Sequence, residues 1–471
     1  MNPTPLYYQT IAEVADRIAA KELSPVDLTT AMLDRIDQLE GQLKCYATLM
    51  ADEAIASARR AEEEISTGKY MGPLHGVPIA IKDLCFTKGV RTMGGSKALM
   101  DHVPDFDSTV VTRFAEAGAV LLGKLNLTEG AMGGYNPALE IPKNPWNPTR
   151  WAGASSSGSG AATAAGLCYG SLGSDTGGSI RFPSAACGIV GIKPTWGRVS
   201  RHGVLALADS LDHVGPMTRS TADAAILLRA IAGHDPNDPT SLPSPVPDYL
   251  AGIDEGIEGV RIGWAEDYAT RNINPEVVEA VRAAVGGLES IGAQIVEIDL
   301  PDLDPYVESW PVLCSAEALV AHQDTYPAKA DDYGPWFRDW LEMGERVTGA
   351  DYARANNARA ACVGHLRTAF QNIDLLACPT TAWPPYEVVG EDLYGPLPTK
   401  PRDPKMQRFT APFDYSGAPT ICLPCGLNSE NPPLPLSFQL VGEPLSEALL
   451  CRAGHAFEQA TDWHTLRPPI A

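Results

Sequence analysis

Two peptides rich in glycine and serine are the strongest candidates for a catalytic centre. They are residues 153–160, which read GASSSGSG, and residues 173–181, which read GSDTGGSIR. A run of Gly, Ala and Ser is typical of a flexible linker, but the first run leads directly into the small-residue helix pattern of residues 161–165. Small residues let one backbone approach another and leave several N–H groups free to point at one spot. Such donors stabilise an oxygen that develops negative charge during a reaction.

A lysine in unusual surroundings lies upstream of both peptides. Residues 76–84 read GVPIAIKDL, an apolar run that predicts a buried strand ending at Lys82. Lysine is almost never fully buried unless it is paired. The residues alone leave two interpretations open. In one, Lys82 marks the strand end and pairs with Asp83; in the other, burial lowers its pKa so that it serves as a neutral base.

Long motifs around these residues resemble the amidase signature family of serine hydrolases. The resemblance covers nearly the whole chain and is least detailed in the middle, between about residues 236 and 372. The matching segments are HGVPIAIKDL at 75–84, NPWNP at 144–148, GASSSGSGAA at 153–162, GSDTGGSIRFPSAACGIVGIKPTWGRVS at 173–200, SLDHVGPMTRS at 210–220 and LLACPTTA at 375–382.

The resemblance implies an α/β fold in which a central mixed β-sheet is covered by helices on both faces. It implies a single amidase-signature domain over residues 1–471. The expected parts of this domain are N-terminal helices (1–70), a catalytic core with the Lys and Ser motifs (71–235), a variable substrate-pocket region (236–400) and a C-terminal part of the same sheet (401–471).

Local patterns support the same fold class, because strands that alternate with helices indicate an α/β architecture. Strands are predicted over residues 260–264 and 293–298, with a helix over 275–291 between them. Thr10 with Glu13 forms a capping-box pattern for a first helix, and Ser24 followed by proline indicates the start of a second. The N-terminal helices serve the scaffold or a contact between the copies of a homodimer.

The resemblance also implies a catalytic set without histidine. Ser179 is the expected nucleophile, Ser155 the serine that bridges it to the base, and Lys82 the neutral base. The peptide bond between Ala154 and Ser155 is expected to be cis. Amide hydrolysis needs a nucleophile, a base and donors for the oxyanion. His202 and His213 lie near the core motifs but match no recognisable triad pattern.

An oxyanion hole is expected on the second peptide. The N–H groups of Thr176, Gly177, Gly178 and Ser179 are the expected donors, and an acyl-enzyme on Ser179 is the expected intermediate. Asp175 and Arg181 are predicted to brace the loop as an ion pair rather than to contact substrate. We expect no cofactor and no metal, since the chain lacks HExxH and a second CxxC, and Cys422 and Cys425 are predicted to be small buried side chains.

A substrate-binding role is expected for Met132, Gly133 and Gly134, whose equivalents in the family line the acyl side of the cleft. Two interpretations of the glycine pair stay open: it widens the pocket, or it forms a plain turn. The segment 304–354 contains a cluster of large aromatic residues. These pack the helices or form an apolar wall of the pocket. Their positions are Trp310, Trp336, Phe337 and Trp340.

Composition excludes several partners. The 58 acidic and 36 basic side chains give a net charge of −22, and no basic run is present, so a nucleic-acid partner is disfavoured. No run approaches the ~20 apolar residues of a membrane span, so we expect no membrane partner. The N-terminus has neither the basic start nor the apolar core of a signal peptide, which predicts a cytoplasmic protein.

These observations predict a serine hydrolase that cleaves the carbon–nitrogen bonds of small neutral amides. Ester and carbamate (urethane) bonds are also plausible substrates. The alternative is a glutamine-hydrolysing amidotransferase A-type subunit that works in a tRNA-dependent complex. The acidity of the chain and its aromatic middle region favour the first function. A relative that has lost activity is disfavoured, because Lys82, Ser155 and Ser179 are all present.

Overall fold

One large mixed sheet runs through the whole protein. The computed structural model describes residues 4–388, 390–395 and 407–470. Over these residues eleven strands pair in the order β1-β3-β2-β4-β6-β5-β10-β11-β9-β7-β8. The strands are β1 Tyr46–Leu49, β2 Pro78–Lys82, β3 Val120–Leu125, β4 Gly170–Asp175, β5 Val190–Lys193, β6 His213–Thr218, β7 Arg261–Trp264, β8 Gln294–Glu297, β9 Leu375–Pro379, β10 Thr420–Leu427 and β11 Pro435–Gly442.

Helices pack around this sheet, as an α/β architecture requires. They are α1 Ile11–Ala19, α2 Pro25–Leu43, α3 Ala51–Ser66, α4 Thr109–Glu116, α5 Ser157–Ala164, α6 Arg181–Cys187, α7 Thr221–Ile231, α8 Glu266–Thr270, α9 Pro275–Ser290, α10 Asp304–Val307, α11 Trp310–Ala321, α12 Pro335–Glu345, α13 Gly349–Ala369, α14 Gly390–Tyr394, α15 Ala411–Tyr415 and α16 Glu447–Ala460. In the part of the chain that the structure describes, none of them combines the length and the apolar character that a membrane crossing needs.

The predicted local signals are confirmed where they are strongest. Thr10 forms the capping box with Glu13 and begins α1, and the Ser24 side chain caps α2. The strands predicted over 260–264 and 293–298 are β7 and β8, with α9 between them. The α/β prediction is therefore correct.

The C-terminal strands belong to the middle of the sheet. β10 pairs with β5 and β11 pairs with β9, so the last part of the chain joins the two halves of the sheet. This agrees with a single domain. The internal divisions at residues 70 and 235 stay predictions, and the division at residue 400 lies outside the described residues.

The cysteines lie in the interior of the protein. All ten are buried and free, including Cys422 and Cys425 on β10. The prediction that this pair forms two small buried side chains is therefore confirmed.

The site is positioned by two parallel neighbours in the sheet. β2 and β4 pair in parallel, Ala80 opposite Ser171 and Ile81 opposite Leu172. The carboxyl ends of parallel strands meet at one edge, where α/β proteins bind their ligands. Lys82 is the last residue of β2, and Ser174 and Asp175 are the last residues of β4.

Close packing in the sheet gives a first testable prediction. A Cβ on Gly215 would lie 2.1 Å from the carbonyl oxygen of Ile192 on the neighbouring strand. Gly215→Ala should therefore lower the free energy of unfolding by about 1–3 kcal/mol, as overpacking does. Urea denaturation measures this change. The matched control is Gly286→Ala on α9, where a Cβ meets nothing within 4 Å and helix propensity should raise stability by about 0.5–1 kcal/mol. Equal effects of the two substitutions would contradict the close approach.

Candidate active site

The Lys82 side chain ends among three serine hydroxyls. Its Nζ donates to Ser155 Oγ at 2.6 Å, to Ser156 Oγ at 2.8 Å and to Ser174 Oγ at 2.8 Å. All four side chains are buried. The cluster joins the end of β2, the end of β4 and the segment that leads into α5.

The electrostatics of this cluster favour a neutral lysine. Burial lowers the pKa of Lys82 to about 7, although the charges of Asp175 and Asp212 act in the opposite direction. The neighbouring Asp83 does not pair with Lys82. Its carboxylate lies 3.2 Å from the Nζ of Lys124 instead. The interpretation of Lys82 as a strand-end residue that pairs with Asp83 is therefore wrong.

The segment that carries Ser155 is held from both sides. The peptide bond between Ala154 and Ser155 is cis, as the resemblance to the family implied. The N–H of Thr128 donates to the Ser155 carbonyl at 3.1 Å, and the Tyr135 hydroxyl donates to Ser157 Oγ at 2.8 Å. The loop of residues 128–135 therefore borders the segment at both of its ends.

Ser179 lies in the turn between β4 and α6. Its side chain is half-buried, and its hydroxyl has no hydrogen-bond partner among the described residues. The structure therefore brings Lys82 and Ser155 into direct contact, but it does not join Ser179 to Ser155 by a hydrogen bond. In unliganded enzymes such a contact often forms only when substrate is bound.

A buried ion pair braces the Ser179 turn. Arg181 contacts Asp175 through two bonds, Nη2 to Oδ1 at 2.8 Å and Nε to Oδ2 at 3.0 Å. The Asp175 carboxylate also accepts from the N–H of Gly178 at 2.6 Å and the N–H of Ile180 at 3.0 Å. Burial alone would raise the pKa of Asp175, but the Arg181 guanidinium holds it well below its usual range. The predicted brace is confirmed.

Arg181 extends the same network to the C-terminal part of the chain. Its Nη2 lies 2.8 Å from Asp414 Oδ2, and its Nη1 donates to the Thr410 carbonyl at 3.0 Å. Both carboxylates and the guanidinium are fully buried. Arg181 therefore joins two buried carboxyl groups that differ in charge state: it keeps Asp175 ionised, whereas burial raises the pKa of Asp414 well above its usual range.

Three of the four expected oxyanion donors are free to act. Among the described residues the N–H groups of Thr176, Gly177 and Ser179 have no hydrogen-bond acceptor. The N–H of Gly178 already donates to Asp175, which corrects the expectation that it points at the oxyanion. Trp310 Nε1 donates to the Thr176 carbonyl at 2.9 Å. Because C=O and N–H point in opposite directions across a trans peptide, the Gly177 N–H points away from Trp310.

Known proteins resemble this chain over nearly its whole length. The sequence model of the family described as Amidase matches residues 27–451. The chain belongs to the amidase signature family. The protein AmiD of Mycobacterium tuberculosis, described as a putative amidase, is 46% identical over 466 residues, which cover 98% of this chain and 96% of AmiD. The A-type subunit of the glutamyl-tRNA(Gln) amidotransferase of Moorella thermoacetica is 40% identical over 490 residues, 99% of each chain. A solved bacterial aryl acylamidase of the amidase signature family superposes with a TM-score of 0.89 at 25% identity, covering 98% of both chains.

The Gly133–Gly134 pair does not open an empty space. A Cβ on Gly133 would lie 2.9 Å from the indole of Trp336, and one on Gly134 would lie 2.6 Å from it. The glycines therefore accommodate Trp336, and the interpretation that they widen the pocket is wrong for the space over their α-carbons. Met132 and Gly133 remain half-buried, so this edge of the loop is still accessible.

The aromatic residues of the middle region are part of the core. Trp310, Trp336, Phe337 and Trp340 are each at most 5% exposed, and the rings of Trp310 and Trp340 lie 5.7 Å apart. Their packing role is confirmed. Trp310 has a second role that the sequence did not predict, because it anchors the Thr176 carbonyl.

Neither histidine of the core region contacts the serine cluster. His213 is buried, and its Nδ1 lies 3.2 Å from the Asp175 carbonyl. Burial lowers its pKa well below the usual range. Among the hydrogen bonds of the described residues, neither His202 nor His213 reaches Ser155 or Ser179.

Sequence reasoning missed Ser156, Ser174 and Asp212. Asp212 accepts from the Thr176 hydroxyl at 2.5 Å and from the N–H groups of Leu207 and Ala208. The three missed residues lie inside the family motifs. Their presence in those motifs is the signal that could have identified them. The spacing of the three residues along the chain does not show that they lie near Lys82 or the Ser179 turn.

The Arg181 network gives a second testable prediction. Arg181→Met keeps an unbranched aliphatic side chain but leaves the Asp175 carboxylate buried without the cation that keeps it ionised. We expect the free energy of unfolding to fall by about 3–5 kcal/mol, measured by urea denaturation. The control is Arg346→Met, which removes an exposed pair with Glu342 and should change stability by less than about 0.5 kcal/mol. A loss below about 1 kcal/mol for Arg181→Met would contradict the network.

Proposed function

We propose that this protein is a serine hydrolase that cleaves the carbon–nitrogen bonds of small neutral amides through an acyl-enzyme on Ser179. Ester and carbamate bonds are further substrates of the same site. The observation that carries the proposal is the Lys82 nitrogen, which is buried among three neutral hydroxyls with a pKa lowered to about 7. A general base works best when its pKa lies near the working pH.

The reaction begins with a proton relay. Ser179 Oγ attacks the substrate carbonyl carbon and its proton passes to Ser155 Oγ, while the Ser155 proton passes to neutral Lys82. The distance of 2.6 Å between Lys82 Nζ and Ser155 Oγ supports the second transfer. For the first transfer, the Ser179 hydroxyl must turn toward Ser155 once substrate is bound. The hydroxyl can do so because it has no other partner among the described residues.

The tetrahedral intermediate carries a negative oxygen that the turn stabilises. The free N–H groups of Thr176, Gly177 and Ser179 are the proposed donors. Lys82 then returns its proton through Ser155 to the departing nitrogen, and the carbon–nitrogen bond breaks. Water attacks the acyl carbonyl by the same relay, Ser179 regains its proton, and the acid is released. The complete reaction consumes one water molecule, returns Lys82, Ser155 and Ser179 to their starting protonation states, and involves no oxidation or reduction.

We expect the purified chain alone to hydrolyse neutral aryl amides. A panel of anilides, aryl esters and aryl carbamates, with acyl and amine groups varied separately, measures kcat/KM for each bond type. Ser179→Ala should lose turnover and also labelling by a fluorophosphonate probe, with the wild-type label mapped to the Ser179 peptide. Ser429→Ala, at an exposed serine in the loop between β10 and β11, is the control and should change neither. Labelling that persists in Ser179→Ala would sink the assignment of the nucleophile.

The proposed base gives a prediction on pH. Protonated Lys82 cannot accept a proton, so kcat/KM should rise about tenfold per pH unit below its pKa of about 7 and level off above it. Lys82→Ala should lower amide turnover by about 10²–10⁴-fold and remove this limb. Ester turnover should fall less, because an ester's leaving group needs less protonation. An alanine variant that keeps the limb and most amide turnover would rule out Lys82.

A second candidate function follows from the 40% identity to the A-type amidotransferase chain. In that case the protein would release ammonia from glutamine only together with partner proteins. Glutamine turnover by the purified chain, set beside its turnover of anilides, discriminates the two functions. Glutamine turnover equal to or above that of anilides would favour the second candidate. So would a chain that is inactive on every substrate of the panel until partner proteins are added.

A further inference from the structure

A buried carboxylate ties three separate segments together beside the serine cluster. Glu129 is 1% exposed. Its Oε1 accepts from Ser96 Oγ at 2.6 Å and from Asn136 Nδ2 at 2.8 Å. Its Oε2 accepts from the N–H of Gly334 at 2.8 Å, immediately before α12. Burial raises the pKa of Glu129 to about 7, and the three donors act in the opposite direction. A carboxylate with several donors makes strong, directional bonds, so these segments are held in one arrangement.

The loop that contains Glu129 borders the catalytic cluster. The preceding residue, Thr128, donates its N–H to the Ser155 carbonyl. Ala131 lines a cavity of about 20 Å³ together with Ser174, which contacts Lys82. The accessible edge of the same loop is formed by Met132 and Gly133. A displacement of this loop would therefore reach both the relay and the surface beside it.

Helix α12 covers the other side of the loop. Trp336 packs over Gly133 and Gly134, and a Cβ on Gly130 would lie 2.2 Å from the ring of Phe337. A half-exposed ion pair, Lys97 with Asp332 at 2.7 Å, lies near the same contact. Solvent-exposed ion pairs of this kind contribute little to stability. The Gly334 bond is thus a fully buried polar link between the start of α12 and the loop, beside the partly buried bond from Asn136 Nδ2 to the Asp332 carbonyl at 2.9 Å.

We propose that Glu129 is a positioning residue that fixes the substrate-facing edge of the loop by holding it against α12, and that it thereby sets the size of acyl group that the site accepts. The inference rests on the proposed function, because it takes Met132 and Gly133 as part of the substrate cleft. Glu129 contacts no reacting atom. It acts through the loop, whose two faces touch the Ser155 segment and Trp336.

The test is Glu129→Gln, which keeps size and shape. A carboxamide has one acceptor oxygen, whereas the Glu129 carboxylate serves donors with both of its oxygens. If the oxygen stays with Ser96 and Asn136, the amide nitrogen of Gln faces the Gly334 N–H and the link to α12 is lost. Loss of a hydrogen bond to a charged group should shift the equilibrium between the held and the released loop by about ten- to hundredfold.

We expect the substitution to change selectivity more than chemistry. For a series of anilides from acetyl to hexanoyl, assayed on the alkaline side of the Glu129 pKa, the ratio of kcat/KM between short and long acyl groups should change at least about tenfold, mainly through KM. The acetyl anilide should keep its kcat within about threefold. Glu140→Gln, an exposed residue on the same stretch, is the matched control and should leave the ratio unchanged. A folded Glu129→Gln protein with a ratio within about twofold of wild type would overturn the proposal.

A second readout does not depend on turnover. Amide hydrogen exchange of the peptides that cover residues 128–136 and 334–345 should become faster in Glu129→Gln, while exchange in α16 stays unchanged. Faster exchange without activity on any substrate would mean that the proposed function fails and the link stands. Unchanged exchange in an enzyme that remains active would mean that the proposed function stands and the link between Glu129 and α12 fails.

Ser96→Ala covers the case in which Glu129→Gln does not fold. It removes one donor to Glu129 and leaves the Gly334 bond in place. The acyl-size ratio should shift in the same direction by a smaller factor. If this variant also keeps the wild-type ratio and the wild-type exchange rates, the proposal is overturned.

Discussion

The removal of the Lys82 nitrogen from water is the constraint on which the site depends. A buried ammonium ion is costly unless an anion compensates it. Here three hydroxyls surround the nitrogen, and hydroxyls can donate to a neutral amine as readily as they accept from an ammonium. The nearby carboxylates each have other partners. Asp83 contacts Lys124, Asp175 contacts Arg181, and Asp212 contacts Thr176. The charged form of Lys82 therefore gains little, and its pKa falls.

The turn that carries Ser179 depends on the opposite arrangement, in which charge is retained and compensated. Asp175 can accept two backbone N–H groups of the turn because Arg181 keeps it ionised. The Gly178 N–H is engaged by Asp175 and fixes the backbone of the turn, so it is not one of the donors proposed for the oxyanion. Under the proposed function, the fixed turn would hold the other three donors in place, and preorganised dipoles need no reorganisation when charge develops.

The parts of the site that follow from local sequence were predictable. An apolar run ending in lysine predicts β2 with Lys82 at its end, and Thr10 with Glu13 predicts the first cap of α1; both are observed. The Asp175–Arg181 pair is close in sequence and was predictable as well. These features depend on neighbours along the chain, and a sequence displays such neighbours directly.

Features that depend on distant segments were not predictable. Nothing in a serine-rich run tells which hydroxyls will face Lys82, so Ser156 and Ser174 were missed. The glycine pair at 133–134 is misleading for the same reason: the absence of a side chain does not reveal that Trp336, far along the chain, fills the space. Glu129 looks like an ordinary loop carboxylate until the fold places Ser96, Asn136 and Gly334 around it.

The sheet and the helices of the middle region thus contribute differently to the site. The sheet supplies Lys82 and Ser174 from the ends of adjacent parallel strands, where small displacements are resisted by neighbours on both sides. The described helices of the middle region carry none of the proposed catalytic residues. They contact the loops of the proposed site from outside, through Trp310 at the Thr176 carbonyl and through Gly334 at Glu129. Helices α11 and α12 pack against each other through Trp310 and Trp340. A substitution that shifts α12 is therefore expected to displace the turn at Thr176 as well. Under the proposed function, this contact would couple substrate selectivity to the geometry of the oxyanion donors.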